Sequence, residues 1–257
     1  MKLSASRNEK LFMTILALEF SSSQRSVAVL SSSRRDKPGE FPSSSVPGNM
    51  GTRIARPSEG VICEAIETGG QSTRAFSMIE KVLAEAKIER EQIEVLAIGL
   101  GPGSYTGIRV ALSLAQGWQL ASRRGGMKLL GISSVECVAA QAQAEKISGR
   151  VNVLIDAQRN EFYLAAYEIS ADGWREIEPL RIMPRAEVES RAGAKEILIG
   201  PEVTRWFPNG RMVFPRAAML GQLALNRNDF AAGDKLEPIY LREANFVKAP
   251  PSRQIAT

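Results

Sequence analysis

The chain has 257 residues, 44% of them hydrophobic and 24% charged, which is ordinary globular usage and excludes a fibrous repeat or disorder throughout. It contains no histidine, so a His-bearing zinc or iron site, a Ser-His-Asp or Cys-His nucleophile and a histidine general base are all excluded. The net charge of +5 comes from 33 basic and 28 acidic residues, with no block of like charge; this allows a nucleic-acid surface without requiring one.

In chain order, Lys2, Arg7 and Lys10 precede an apolar stretch at 11–18 that resembles a signal peptide until Glu19 and the serines after it interrupt it. No stretch approaches the roughly 18 uncharged apolar residues of a membrane span, so residues 1–12 are expected to be a loose leader, or to precede a true start at Met13. Cys63 and Cys137 form neither a CxxC pair nor a disulfide framework. Both observations fit an unexported protein in a reducing cytoplasm.

Residues 13–19 and 26–30 read as two strands of a hairpin around a polar turn at 20–25. Seven serines, four prolines and four glycines crowd 31–60, so that segment is expected to be a mobile insertion. A strand at 61–66 follows, then an amphipathic helix opening at Ser72, in which Ala75, Phe76, Met78, Ile79, Val82, Leu83 and Ala86 recur at helical spacing. A short strand at 94–100 runs into a glycine loop and a second helix over 104–121. Beyond it come a strand at 128–132 and a helix to about 146 with Ser133 and Glu136 as a capping box. Strands at 151–155, 161–168, 174–183 and 196–199 follow, the first two joined by a turn at 156–160, and Pro215 starts a last helix to about 227. Hairpins interleaved with helices predict an α/β protein with mixed sheets in two lobes, 13–122 and 123–214, with 215–257 packing back on them.

The glycine loop, GLGPGSYTGIR at 99–109, is the densest signal. Ser104 is placed to cap the helix, whose first free N–H groups would suit an anion. It is not a Walker loop, because no Lys in the chain precedes Ser or Thr, and its spacing is not that of a dinucleotide fingerprint. Two readings stand, a structural turn and a phosphate contact; the second would place Ser21, Ser22, Gly101, Gly103, Ser104 and Asp156 around a cleft. Glu19 and Asp156 could in principle hold Mg²⁺, although capping a turn is their more ordinary use.

The helix after the loop carries one charge, Arg109, and Gly103, Gly107, Ala111 and Ala115 fall four apart as a smooth ridge. It is either a core helix or one whose outer face, with the 72–86 helix, forms a subunit interface anchored by Tyr105 and Trp118. The interface candidates are Phe76, Ile79, Leu83, Tyr105, Ile108, Arg109, Ala111, Leu112 and Ala115. No metal site is expected. Cys63 on an apolar strand and Cys137 on an apolar helix face read as inert core thiols.

The string GPGSYTGIR at 101–109 resembles the hallmark segment of the TsaB (YeaZ) family. ILALEFS at 15–21, GISS at 131–134, IDA at 155–157 with EFY at 161–163, and PIYLR at 238–242 resemble further family segments in the same order, so the resemblance spans roughly 13–245. It departs from the family pattern at Glu19, Gln158 and Ser72, where Asp, Arg and often His stand. The resemblance implies a two-lobed actin-like ATPase (ASKHA, ribonuclease H-like) fold. It also implies a non-catalytic partner of TsaD, the subunit that carries metal and nucleotide, in forming N6-threonylcarbamoyladenosine at adenosine 37 of tRNAs reading codons that begin with A. The small ATPase TsaE would join the assembly, a homodimer through the same helices is possible, and tRNA would be reached through the complex. On this reading the chain holds no cofactor tightly, ATP, ADP and Mg²⁺ belong to the complex or the partner, and no membrane is involved. The competing reading is a stand-alone kinase of the same superfamily gripping phosphates with Ser21 to Ser23 and the glycine loop.

Overall fold

The computed structural model describes residues 12–33, 60–69, 74–122, 126–194 and 196–242. Residues 1–11 of the expected leader, 34–59 of the expected insertion, Ser72 and the tail from 243 lie outside them, whereas residues 12 and 31–33, expected in the leader and the insertion, belong to strands.

Two five-stranded sheets form the frame. The first is built from β1 (Phe12–Glu19), β2 (Gln24–Ser33), β3 (Val61–Thr68), β4 (Val95–Gly99) and β5 (Lys128–Ile132), in the order β3-β2-β1-β4-β5. The β1–β2 hairpin is antiparallel, pairing Ile15 with Leu30 and Ala17 with Ala28, while β1–β4 and β4–β5 are parallel. Because β5 completes this sheet, the first lobe extends past the boundary expected at residue 122.

Ile15, Leu16, Ala17 and Leu18 are all fully buried, as a central strand covered on both faces requires. Leu16 and Leu18 pack with α1 (Ala75–Ala86) and α2 (Tyr105–Ala121) on one face. Ile15 and Ala17 pack on the other face with α3 (Ser134–Ala144), α5 (Ala217–Leu225) and the second lobe.

The second sheet has the order β10-β9-β6-β7-β8, from β6 (Gly149–Asp156), β7 (Glu161–Ser170), β8 (Gly173–Pro184), β9 (Ile197–Gly200) and β10 (Arg211–Met212). Its far face carries a separate core of Leu154, Phe162, Leu164, Met183, Val188, Leu198, Val203 and Phe207, in which Val188 comes from α4 (Arg185–Gly193). Neither α4 nor β10 is expected from the sequence. Arg-Ala-Glu-Val-Glu-Ser-Arg has one apolar anchor, Val188, too few for a visible period.

α5 ties the lobes together. Its first N–H groups, which no helical carbonyl can reach, donate to Ser26 Oγ (Ala217, 2.8 Å) and the Glu64 carboxylate (Ala218, 3.0 Å). Glu64 also pairs with Arg216, and at the other end Arg227 pairs with Glu136 of α3. That pairing corrects the capping box: Glu136 turns to Arg227, and Ser133 makes no side-chain capping bond. The segment after α5 returns across both lobes, with Ile239 N–H bonded to Leu100 O and Arg242 bonded to Ala157 O and Glu161.

Candidate functional site: an interlobe cleft and the helix beside it

The turn between β1 and β2 and the loop before α2 meet the ends of β6 and β9 across a cleft of about 360 Å³. The first lobe lines it with Ser21, Ser22, Ser23, Arg25, Gly103 and Ser104; opposite stand Asp156, Gln158, Phe162, Glu202 and Trp206. Five of the six cleft residues expected from the sequence thus come together. The sixth, Gly101, is buried behind the lining. Trp206 and Arg25 carried no signal in the sequence, because neither sits in a motif.

Of the acids at this cleft, Asp156 and Glu19 are already engaged, while Glu202 stands exposed on the rim. The Asp156 carboxylate accepts the Gln158 N–H at 2.7 Å, closing the tight turn in which Gln158, Arg159 and Asn160 all have positive φ. Glu19 lies behind the cleft with no exposed surface. Its two oxygens accept the Ser21 N–H at 2.8 Å and the Ser134 hydroxyl at 2.9 Å. Burial pushes its carboxyl above the ordinary value of 4.5, and the hydrogen bonds from Ser21 and Ser134 pull it partway back. Among the described residues, no three His, Cys, Asp or Glu side chains converge on a point where a metal ion could sit.

A raised carboxyl has a signed consequence. Its contribution to stability is fully present below 4.5 and fades as pH rises through the folded-state value, because the folded state holds the proton more tightly. The stability difference between the native protein and Glu19→Gln is therefore expected to shift in favour of the native protein as pH falls from neutrality toward 4.5. Denaturant unfolding of both proteins at several pH values reads this out; a difference that stays flat would remove the raised carboxyl.

Burial holds both thiols above the ordinary range, though Cys63 differs from expectation by being part-exposed. Burial and then Glu85, which accepts the thiol proton at 2.9 Å, push Cys63 up to about 11. At pH 8 its alkylation is expected to run about a hundredfold slower than that of a free cysteine with a pKa near 8.5. Reaction at the free-cysteine rate, followed by intact mass, would contradict the Cys63–Glu85 contact.

Beside the cleft, Ser104 caps α2 as the sequence predicts, its Oγ accepting the Gly107 N–H at 3.3 Å. The interface candidates divide. Ile79, Leu83, Ile108, Ala111, Leu112 and Ala115 are buried in the first lobe's own core, packed with Leu96 and Ile98 of β4. This corrects the ridge: the small residues of α2 face inward, where they let the helix approach its own sheet. The reason is local. A Cβ added at Gly107 would stand 2.0 Å from the Phe20 carbonyl oxygen, so only glycine allows the two backbones so close.

Phe76, Tyr105 and Arg109 do face outward. Tyr105, 52% exposed, stacks on Tyr240 with ring centroids 5.4 Å apart and carries the Arg109 guanidinium 3.9 Å from its ring centre. Phe76 is 67% exposed and Leu120, at the far end of α2, 88%.

A family model described as "TsaD: tRNA N6-adenosine threonylcarbamoyltransferase" matches residues 53–240. The chain is 26% identical over 200 residues to the tRNA threonylcarbamoyladenosine biosynthesis protein TsaB of Escherichia coli, covering 70% of this chain and 84% of that one. To the protein of the same name from Haemophilus influenzae it is 27% identical over 204 residues, with the same coverage of each chain. The chain belongs to this TsaD-like family, as a TsaB (YeaZ) member. The solved YeaZ of Pseudomonas aeruginosa superposes with a TM-score of 0.66 at 23% identity, covering 89% of this chain and 100% of that one. The two lobes with their mixed sheets are thus an actin-like ASKHA fold.

Proposed function

We propose that this chain is the non-catalytic partner subunit of the machinery that makes N6-threonylcarbamoyladenosine at adenosine 37 of tRNAs reading ANN codons. It pairs with TsaD, which performs the acyl transfer; TsaE joins them, and tRNA is reached through the complex. The observation that carries this reading is the likeness over most of both chains to proteins named for threonylcarbamoyladenosine biosynthesis. The outward face of α1 and α2, where Phe76, Tyr105, Arg109 and Leu120 stand exposed, supports it as the surface a partner covers. That same face could serve a second copy of the chain when TsaD is absent.

A stand-alone kinase of the same fold finds little help in the cleft. Such an enzyme needs a carboxylate free to hold Mg²⁺ against a phosphate. Here Glu19 is enclosed and Asp156 is engaged by its own turn, which leaves Glu202 as a lone exposed acid in the lining, too few to clamp a metal against a phosphate. On this reading any ATP, ADP or Mg²⁺ acts at TsaD or at the joint between the subunits. The workplace is the cytoplasm, where tRNA is modified; among the described residues no helix is long and apolar enough to cross a membrane.

Depletion of the protein followed by mass spectrometry of tRNA nucleosides tests the reading. Threonylcarbamoyladenosine is expected to disappear and to return when this chain is supplied. Unchanged levels on depletion would end the proposal, as would sustained ATP turnover by the purified chain with no partner added.

A further inference from the structure

The buried carboxylate of Glu19 sits where its two oxygens govern both ends of the loop that launches α2. At the near end, Oε1 accepts the Ser21 N–H, and the Ser21 carbonyl in turn accepts the N–H of Ser104 at 2.6 Å, the residue that caps the helix. At the far end, Oε2 accepts the Ser134 hydroxyl, whose oxygen accepts the Gly101 N–H at 3.1 Å. The Ser134 N–H closes the same contact by donating to the Gly101 carbonyl at 2.9 Å. Residues 101–104 are thus gripped through one side chain that spans β1, the first turn and the start of α3. Tyr105, the first residue of α2, follows directly.

We propose that Glu19 is a positioning residue for the partner-binding face: it fixes the loop at 101–104 and so sets the orientation of α2 and the Tyr105–Tyr240–Arg109 stack. The inference rests on the reading that this face is what TsaD covers. The chemistry of the site explains why a carboxylate is needed. Two donors, the Ser21 N–H and the Ser134 O–H, point at two acceptors, and a carboxylate supplies both. The amide of Glu19→Gln supplies one acceptor and turns donors toward Ser134, which leaves a buried donor unpaired. Ser134→Ala keeps Glu19 but removes the acceptor of the Gly101 N–H, leaving the backbone bond to the Gly101 carbonyl as the hold at that end of the loop.

The test compares native protein, Glu19→Gln, Ser134→Ala and a control, Val188→Ala, which opens a gap in the separate core of the second lobe. Affinity for TsaD is measured by calorimetry well below the unfolding midpoint of each protein, and amide exchange is followed across 101–107. Glu19→Gln and Ser134→Ala are expected to weaken pairing by about tenfold or more, within the range of coupling free energies between sites. Exchange at Ser104 and the first turn of α2 is expected to speed up in both. The control should lose stability yet pair as the native protein does, which separates positioning from general weakening. Folded Glu19→Gln or Ser134→Ala proteins with native exchange at 101–107 and native affinity would overturn the inference. If the native protein itself fails to bind TsaD, the proposed function falls instead. The exchange measurement then decides the latch alone: native exchange in the variants sinks it and faster exchange sustains it.

Discussion

Gly107→Ala is expected to lower the unfolding midpoint by about 4–8 °C, while Gly117→Ala on the same helix is expected to raise it by about 2–4 °C. Both substitutions gain roughly 1 kcal/mol of intrinsic helix propensity. They differ in what the new methyl meets. At Gly117 it meets nothing within 4 Å, so the propensity gain stands alone. At Gly107 it would lie 2.0 Å from the Phe20 carbonyl oxygen and 3.1 Å from its carbon, both backbone atoms at the end of the central strand. A backbone cannot swing aside like the tip of a side chain, so α2 must lift from the sheet and loosen Ile108, Ala111 and Ala115 with it. Overpacking costs about 1–3 kcal/mol, and a clash with backbone falls at the upper end, so about 2 kcal/mol of loss remains after the propensity gain. For a chain of this size each kcal/mol moves the midpoint by roughly 2–4 °C. Thermal unfolding of the two variants side by side checks the sign as well as the size. A neutral Gly107→Ala would mean that α2 does not lie against Phe20.

The same contact explains what the sequence could and could not reveal. Strand and helix positions follow local rules, and the unbroken apolar run in β1 announces a strand covered on both faces. The glycine loop announces a tight turn and a capped helix for equally local reasons. The direction of the small-residue ridge does not follow from such rules. Spacing of four marks a face that something approaches, and the period is identical whether the visitor is a second polypeptide or the end of the same sheet. Only the position of Phe20 decides it. Glu19 is a parallel case. Its place at the end of a strand beside serines suggests a cleft acid, and its partner Ser134 lies 115 residues away along the chain. The serine expected to matter there was Ser133, as a helix cap, whereas the neighbouring Ser134 carries the bond. Adjacent serines cannot be told apart until the helix phase is fixed.

Inward and outward faces of α2 should therefore respond in opposite ways to substitution. Tyr105→Ala and Leu120→Glu alter exposed side chains and are expected to leave the midpoint within a few degrees of native, as surface changes do. Tyr105→Ala removes a ring stacked on Tyr240 and covered by Arg109, a preformed aromatic and arginine cluster of the kind that dominates interface energetics. Pairing with TsaD is expected to weaken by about 2 kcal/mol, roughly thirtyfold. Leu120→Glu adds a charge at the far end of the same face and should act in the same direction. Ala111→Glu tests the other side. Ala111 has no exposed surface, and a glutamate there meets the packed apolar side chains of the first lobe's core. It is expected to prevent folding outright, because an unpaired buried charge and excess volume each cost several kcal/mol. Soluble expression, circular dichroism and a pull-down with TsaD distinguish these outcomes. A folded Ala111→Glu protein that merely fails to pair would turn the ridge outward again, and native pairing by both Tyr105→Ala and Leu120→Glu would move the partner to another face.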